Sequence, residues 1–130
     1  MIKQVVLEET GKLGVRVERV ILFGSRARGD YRKDSDYDIL VVLLGDIDRG
    51  TRRELARRVR MRLVWELRAP VDVIVTSLDK WRRYRGMVGH LFYSVEREGI
   101  PACLYEAHSR SLPEALYEPP NGLSTTTQLC

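Results

Sequence analysis

Short runs of hydrophobic residues along this chain predict strands of a sheet that is covered by other elements. A strand buried on both faces needs a continuous hydrophobic run of four to eight residues rather than an alternating pattern. The runs that meet this description lie at 20–23, 39–44 and 70–75. The first strand is predicted over 15–23, and a last strand at a sheet edge is predicted over 101–105. Only the run at 70–75 is interrupted by a charge, which is Asp72.

Between these runs, hydrophobic residues recur every three or four positions, which predicts amphipathic helices. A helix at 2–13 is expected to end at Gly14, and a short helix is expected at 25–29. The next helix begins at Thr51, which forms a capping box with Glu54, and it ends before Pro70. A single long helix is predicted over 78–98. It would be capped by Ser77 or Asp79 and would end at Gly99.

The hydrophobic pattern predicts one folded domain followed by an irregular tail. Hydrophobic residues make up 44% of the 130 residues, which is enough for one core. Periodicity ends near residue 107, so the domain is placed at 1–106 and the tail at 107–130. No run has membrane-spanning length and the N-terminus does not have the pattern of a signal peptide, so a cytoplasmic protein without a membrane partner is expected.

Two aspartates at the start of the second strand are the first candidate for chemistry. Side chains alternate along a strand, so Asp36 and Asp38 point the same way while Tyr37 points the other way. Two unit charges about 4 Å apart repel by roughly 4 kcal/mol at an effective dielectric near 20. A bound cation would offset this repulsion, and carboxylate oxygens favour Mg²⁺ or Mn²⁺ over zinc. Asp72 in the later strand supplies a third carboxylate.

The turn before these aspartates has the features of a phosphate-binding loop. Gly24 allows the backbone to approach a ligand closely, and Ser25 adds a hydroxyl group where the chain leaves a buried strand. Arg26 and Arg28 follow in the sequence Gly-Ser-Arg-Ala-Arg-Gly. The combination of strand, turn and carboxylates indicates nucleotide chemistry.

These motifs resemble a known family. Gly24 and Ser25, followed after ten residues by Asp36-Tyr37-Asp38, are similar to the signature of the minimal nucleotidyltransferases (MNT proteins) of the DNA polymerase β-like superfamily. The resemblance covers about residues 1–106 and is closest to the small prokaryotic MNT antitoxins that pair with HEPN-domain toxins. It implies the α/β nucleotidyltransferase fold, a small mixed sheet of about four strands with helices packed mainly on one face.

The resemblance also implies a reaction and its residues. AMP would be transferred from ATP to a hydroxyl group of a HEPN toxin, with a tyrosine as the expected acceptor. Asp36 and Asp38 would hold two Mg²⁺ ions on the triphosphate. Asp72 would share the ion nearest the acceptor and help to remove its proton. Gly24, Ser25 and Arg26 would bind the nucleotide phosphates. A hetero-oligomer with the toxin, or a homo-oligomer, is compatible with this interpretation.

Structural interpretations of the same residues remain open. Asp36 and Asp38 could cap local backbone, Asp72 could form an ion pair with an arginine, and Arg28 could be a solvated surface residue. His90 is interpreted as a spacer within the long helix and not as a base.

Two other functions also remain open: an antitoxin that neutralises its toxin by binding alone, and a nucleotidyltransferase acting on a small molecule. The net charge is +4, and arginines surround the helix that begins at Thr51. Because no aromatic residues are interleaved with them, a nucleic-acid partner is not expected, and an acidic protein partner or solubility explains them better.

Overall fold

A computed structural model describes residues 1–32 and 35–110 of the chain. The helices and strands follow one another in this order: α1 (Ile2–Leu13), β1 (Arg16–Phe23), α2 (Ser25–Arg28), β2 (Tyr37–Leu44), α3 (Arg49–Leu67), β3 (Val71–Ser77), α4 (Leu78–Tyr84), α5 (Leu91–Glu98), β4 (Ile100–Pro101) and α6 (Ala102–Arg110).

The four strands form one mixed sheet in the order β3-β2-β1-β4. Strand β1 is antiparallel to both β2 and β4, whereas β2 and β3 are parallel. Two parallel neighbours need a long crossover, and α3 supplies it. The predicted mixed sheet of about four strands is confirmed.

The larger helices cover one face of the sheet. Helices α1, α3 and α6 pack there against alternate residues of β1 and β2. Each large side chain buried in such a core contributes roughly 1.5–3 kcal/mol relative to the exposed state. The fully buried aliphatic residues of this core are Val6, Leu22, Ile39, Val41, Leu43, Leu55, Val59 and Leu63.

Helices α4 and α5 cover part of the opposite face. Trp81 of α4 packs there with Phe92 of α5, their ring centroids 5.6 Å apart, over Leu40 and Val42 of β2. Both faces of the sheet therefore carry helices. The prediction that helices pack mainly on one face holds for the larger helices α1, α3 and α6, while α4 and α5 lie on the other face. The short cover formed by α4 and α5 leaves the start of β2 and β3 accessible.

Most predicted ends of elements are confirmed. Helix α1 ends at Gly14, which has a φ of 72° that favours glycine, and α2 ends at Gly29. The start predicted for α3 was wrong by two residues. Its N-cap is Asp48, whose side chain accepts hydrogen bonds from the backbone N–H and the hydroxyl of Thr51. Thr51 is thus bound by the cap rather than forming it.

The predicted long helix over 78–98 was wrong, because the chain leaves the helix between Tyr84 and Leu91. Gly89 has a φ of 95°, which no helix accommodates. His90 then caps α5, since its Nδ1 accepts a hydrogen bond from the N–H of Phe92 at 3.0 Å. Ser77 caps α4, and it is one of the two residues predicted for this cap. His90 is therefore a helix cap and not a spacer inside a helix.

The strand predicted over 101–105 was also wrong. Only Ile100 and Pro101 pair with β1, and the chain then continues as α6. Tyr105 of α6 packs edge-on against Tyr37, which draws this segment onto the sheet as a helix. Helix α6 crosses the predicted boundary at 106, and residues 111–130 of the predicted tail lie outside the described residues. The division into domain and tail stays a prediction.

Within 1–32 and 35–110, the structure has no helix that is both long enough and hydrophobic enough to cross a membrane.

A buried glutamate joins α1 to α3. The Glu9 carboxylate forms ion pairs with Lys12 of its own helix and with both Arg58 and Arg62 of α3, with N–O distances of 3.0–3.5 Å. Burial by itself raises the pKa of Glu9, but the hydrogen bonds from Arg62 and Lys12 outweigh it, so this pKa lies below its usual range. Arginines of the exposed side of α3 thus have a structural use.

We expect Glu9→Gln to destabilise the protein by about 2 kcal/mol at neutral pH, because three cations lose a buried partner. A carboxyl whose pKa is lowered by folding stabilises the protein above its unfolded pKa, and this contribution is lost as pH falls. The difference from wild type should therefore shrink near pH 3. Urea unfolding at both pH values measures it, with Glu18→Gln on the exposed side of β1 as the control. An equal difference at both pH values would contradict this account.

Candidate functional site

The first residues of β2 and β3 place two carboxylates side by side. Asp38 and Asp72 are register partners in this parallel pair, so their Cα atoms are about 5 Å apart. Asp38 is two residues before Leu40, whose side chain packs under α4 and α5, so the Asp38 carboxylate lies on that face of the sheet. A hydrogen bond of 2.9 Å from the Tyr37 N–H to the Pro70 carbonyl holds the strand starts together.

Glycine at position 24 makes room for one of these carboxylates. Gly24 follows β1 with a φ of 76°, a backbone conformation that side chains disfavour. A Cβ at this position would overlap Oδ2 of Asp38. The Gly-Ser turn and the aspartate, which belong to one sequence motif, are therefore in direct contact.

Three aspartates of the site act on one another through their charges. Burial raises the pKa of the Asp38 carboxyl, the charges of Asp72 and Asp36 raise it further, and the charge of Arg28 lowers it. Asp36 lies one residue before β2 and is exposed. Within the described part of the chain, none of the three carboxylates accepts a hydrogen bond or forms an ion pair. The capping and ion-pair interpretations of these aspartates therefore have no support in the described residues.

Ser25 begins α2 directly after Gly24. The carbonyl of Gly24 accepts hydrogen bonds from the N–H groups of Ala27 and Arg28 at 3.0 and 3.1 Å, which closes the turn. Among the described residues, no group forms a hydrogen bond with the Ser25 hydroxyl. The hydroxyl is available to a ligand beside Asp38.

The structure directs Arg26 away from the carboxylates. The residue is 8% exposed, and its guanidinium lies between the rings of Tyr31 and Tyr37, 4.5 and 4.1 Å from their centroids. Its Nε and Nη2 both donate to the Ser35 carbonyl, at 3.3 and 3.1 Å. Tyr37 alternates with Asp38 along β2, so Arg26 occupies the opposite face of the strand. This geometry favours a role in positioning the loop before Asp36 over the predicted contact with phosphate.

Arg28 is an exposed surface residue whose charge also acts on one of the site carboxylates. Its guanidinium lies 3.4 Å from Asp30 and 3.3 Å from Glu98 of α5, and its charge reaches Asp38. The spacing after Gly24 could have indicated this, since Ser25 and Arg28 are three positions apart in a helix and share one side.

The carboxylates fit magnesium that arrives with a nucleotide. Within the described ranges, no three His, Cys, Asp or Glu side chains form a ready-made ligand set for a metal ion. Asp38 and Asp72 instead form a neighbouring pair, with Asp36 within electrostatic reach. Mg²⁺ keeps several water molecules and is commonly held by one or two carboxylates together with substrate phosphates. The residues present meet that requirement.

Comparison with known proteins gives a match over most of the chain. The sequence profile of the nucleotidyltransferase domain matches residues 3–93. Two candidate protein adenylyltransferases of Methanocaldococcus jannaschii match shorter stretches. One is 51% identical over 47 residues, 36% of this chain and 45% of that protein. The other is 57% identical over 28 residues, 22% of this chain and 28% of that protein. The matches thus span less than half the length of these curated relatives.

Solved structures give the same result. A candidate minimal nucleotidyltransferase is 31% identical with a TM-score of 0.50, over 76% of this chain and 87% of that one. A candidate nucleotidyltransferase from Sulfolobus solfataricus is 29% identical with a TM-score of 0.50, over 78% of each chain. The predicted fold is confirmed by these structures. A toxin-antitoxin chain solved with AMP-PNP is 20% identical with a TM-score of 0.47, over 89% of this chain and 90% of that one, too distant to carry an argument.

We expect Asp38→Asn to stabilise the cation-free protein by about 1 kcal/mol. Folding raises the pKa of Asp38, so its charged form is destabilising at neutral pH, and a neutral amide removes the repulsion from Asp72 and Asp36. Thermal unfolding in the presence of a chelator measures the effect, with Asp46→Asn in an exposed loop as the control. A melting temperature below that of wild type would show that the carboxylate is structurally satisfied.

For Arg26→Ala we expect destabilisation by about 3 kcal/mol, since two ring contacts and two charged hydrogen bonds are lost from a buried position. Arg28→Ala should cost much less, because both of its ion pairs are at the surface. Chemical denaturation of both variants makes the comparison. Equal losses would mean that Arg26 does not hold the loop.

Proposed function

This chain belongs to the nucleotidyltransferase domain family, and on that premise we propose that it transfers AMP from ATP to a hydroxyl group of a partner protein. The observation that carries the proposal is the group of unpaired carboxylates beside the Gly24-Ser25 turn. Charged groups held together without a protein partner are costly unless a ligand offsets them. A magnesium nucleotide has the charge and the ligand preference to do so.

In this proposal Asp36, Asp38 and Asp72 are the ligands of two Mg²⁺ ions. When bound, the ions would neutralise triphosphate charge and stabilise the entering and leaving oxygens. Gly24 and Ser25 supply backbone N–H groups and a hydroxyl for phosphate oxygens.

Arg28 is the better candidate for the charge that develops on pyrophosphate, the role first expected of Arg26. Its two ion pairs, to Asp30 and Glu98, lie at the surface, where such pairs add little to stability. A phosphate group could therefore displace either partner at low cost.

The reaction would proceed as follows. The acceptor oxygen forms a bond to the α-phosphorus, while the bond between that phosphorus and the oxygen bridging to the β-phosphate breaks. Pyrophosphate leaves with the bonding electrons. The hydroxyl proton passes to a base, and Asp72 is the candidate because its exposed carboxylate has no other partner among the described residues.

We propose a protein as the acceptor, and specifically a tyrosine of a HEPN-domain toxin, so that the chain acts as an antitoxin. The names of the two Methanocaldococcus jannaschii relatives support a protein substrate. The spacing of the Gly-Ser and Asp-x-Asp motifs, which resembles that of the small MNT antitoxins, supports the toxin.

The test is transfer of label from ATP labelled at the α-phosphate, with Mg²⁺, to proteins that co-purify with this chain. We expect one labelled partner whose labelling falls at least about 100-fold in Asp36→Asn and in Asp72→Asn, because ligands to the triphosphate are lost. Asp46→Asn should label the partner as wild type does. Mass spectrometry of the labelled partner identifies the modified residue.

Other results would assign the chain differently. A stable HEPN partner that is never labelled would favour an antitoxin that acts by binding alone. Labelling that persists in Asp36→Asn would contradict the proposed site. Without any protein partner, small molecules with hydroxyl groups become the acceptors to test.

A further inference from the structure

The connection between α4 and α5, residues 85–90, presents hydrophobic side chains to solvent. Val88 is 78% exposed, Met87 is 50% exposed, and Leu91 at the start of α5 is 44% exposed. A contiguous group of large exposed hydrophobic residues is uncommon on a protein that acts alone, and such patches mark contact sites.

This connection is closed by its own hydrogen bonds and is not a free loop. The Met87 N–H donates to the Tyr84 carbonyl and the His90 N–H donates to the Met87 carbonyl, both at 3.0 Å. The His90 ring stacks on Tyr84 with centroids 4.6 Å apart and planes 8° from parallel. Gly89 supplies the left-handed conformation that the reversal requires. Met87 and Val88 are therefore held outward in a fixed arrangement.

Cations directly precede these hydrophobic residues along the chain. Between residues 80 and 92 the sequence has no aspartate or glutamate, and its cations are Lys80, Arg82, Arg83 and Arg85. All four side chains are exposed, and among the described residues none of them forms an ion pair. A surface that combines exposed hydrophobic and cationic side chains is complementary to a hydrophobic surface bordered by acids.

The patch lies on the same face of the sheet as the candidate site. Trp81 and Phe92, on either side of the connection, pack over Leu40, which is on the Asp38 side of β2. At the other end of α5, Glu98 contacts Arg28, whose charge acts on Asp38. Helix α5 is eight residues long, so it spans about 12 Å between the patch and this arginine.

We propose that Met87, Val88 and Leu91, together with the arginines of α4, form the docking surface for the acceptor protein. The partner is an acidic protein surface with a hydrophobic centre that carries the acceptor hydroxyl group. This inference rests on the proposed function in so far as it identifies the partner with the protein that accepts AMP. The binding surface itself can be tested without any reaction.

A matched pair of substitutions tests the surface. Val88→Glu puts an acid at the centre of the patch, and Leu7→Glu puts an acid on α1, which packs on the opposite face of the sheet and where Leu7 is 47% exposed. The probe is a fluorescently labelled random copolymer rich in glutamate and containing tyrosine. Its binding to the full chain is measured by fluorescence anisotropy without ATP, with circular dichroism as the check on folding.

We expect Val88→Glu to weaken binding of the copolymer about tenfold or more, and Leu7→Glu to weaken it less than about twofold. Equal weakening by the two variants would mean that the added negative charge alone lowers the affinity, and it would overturn the proposal. Unchanged binding in Val88→Glu would overturn it as well.

Binding of a labelled single-stranded oligonucleotide, tighter than that of the copolymer and lost in Val88→Glu, would assign the surface to nucleic acid. The failure of the proposed function is seen separately, as absence of label transfer from ATP while the copolymer still binds through this patch.

Discussion

Direct contact between the Asp38 carboxylate and the bare Cα of Gly24 is the constraint on which the rest of the site depends. The contact joins the end of β1 to the start of β2, which are neighbours in the sheet but are separated by the loop before Asp36. Any side chain at position 24 would displace the carboxylate from the side of Asp72. The turn that offers Ser25 to a ligand and the strand that offers Asp38 are therefore fixed by one close approach.

The alternation of β2 divides structural and chemical tasks between its faces. Tyr37 faces Arg26 and Tyr105, and this face holds the loop and α6 in place. Asp38 faces the side where α4 and α5 leave the sheet uncovered, and this face holds unpaired charge. A protein that maintains such repulsion gives up stability in the absence of its ligand, as enzyme sites commonly do.

Sequence patterns predicted the sheet well, because it depends on neighbours along each strand. They also singled out Asp36, Asp38 and Asp72, which the structure brings near one another, and the role of these residues as metal ligands stays a prediction. The helix over 78–98 was predicted wrongly because Val88 continues the helical spacing of Trp81 and Tyr84 while lying in a connection exposed to solvent. The strand over 101–105 was predicted wrongly because the packing of Tyr105 on Tyr37 joins residues 68 positions apart, which no local pattern can indicate. Arg26 and Arg28 have equal chemistry in the sequence, and only the face of β2 that each approaches separates their roles.

The most direct test of a cation and nucleotide site is a crystal structure of this chain with Mn²⁺ and a non-hydrolysable ATP analogue. The anomalous signal of manganese identifies the ion independently of the fitted atoms. Our account predicts an anomalous peak between the carboxylates of Asp38 and Asp72, with phosphate oxygens against Gly24 and Ser25. A bound nucleotide with manganese elsewhere, or with no ion at the carboxylates of Asp38 and Asp72, would contradict it.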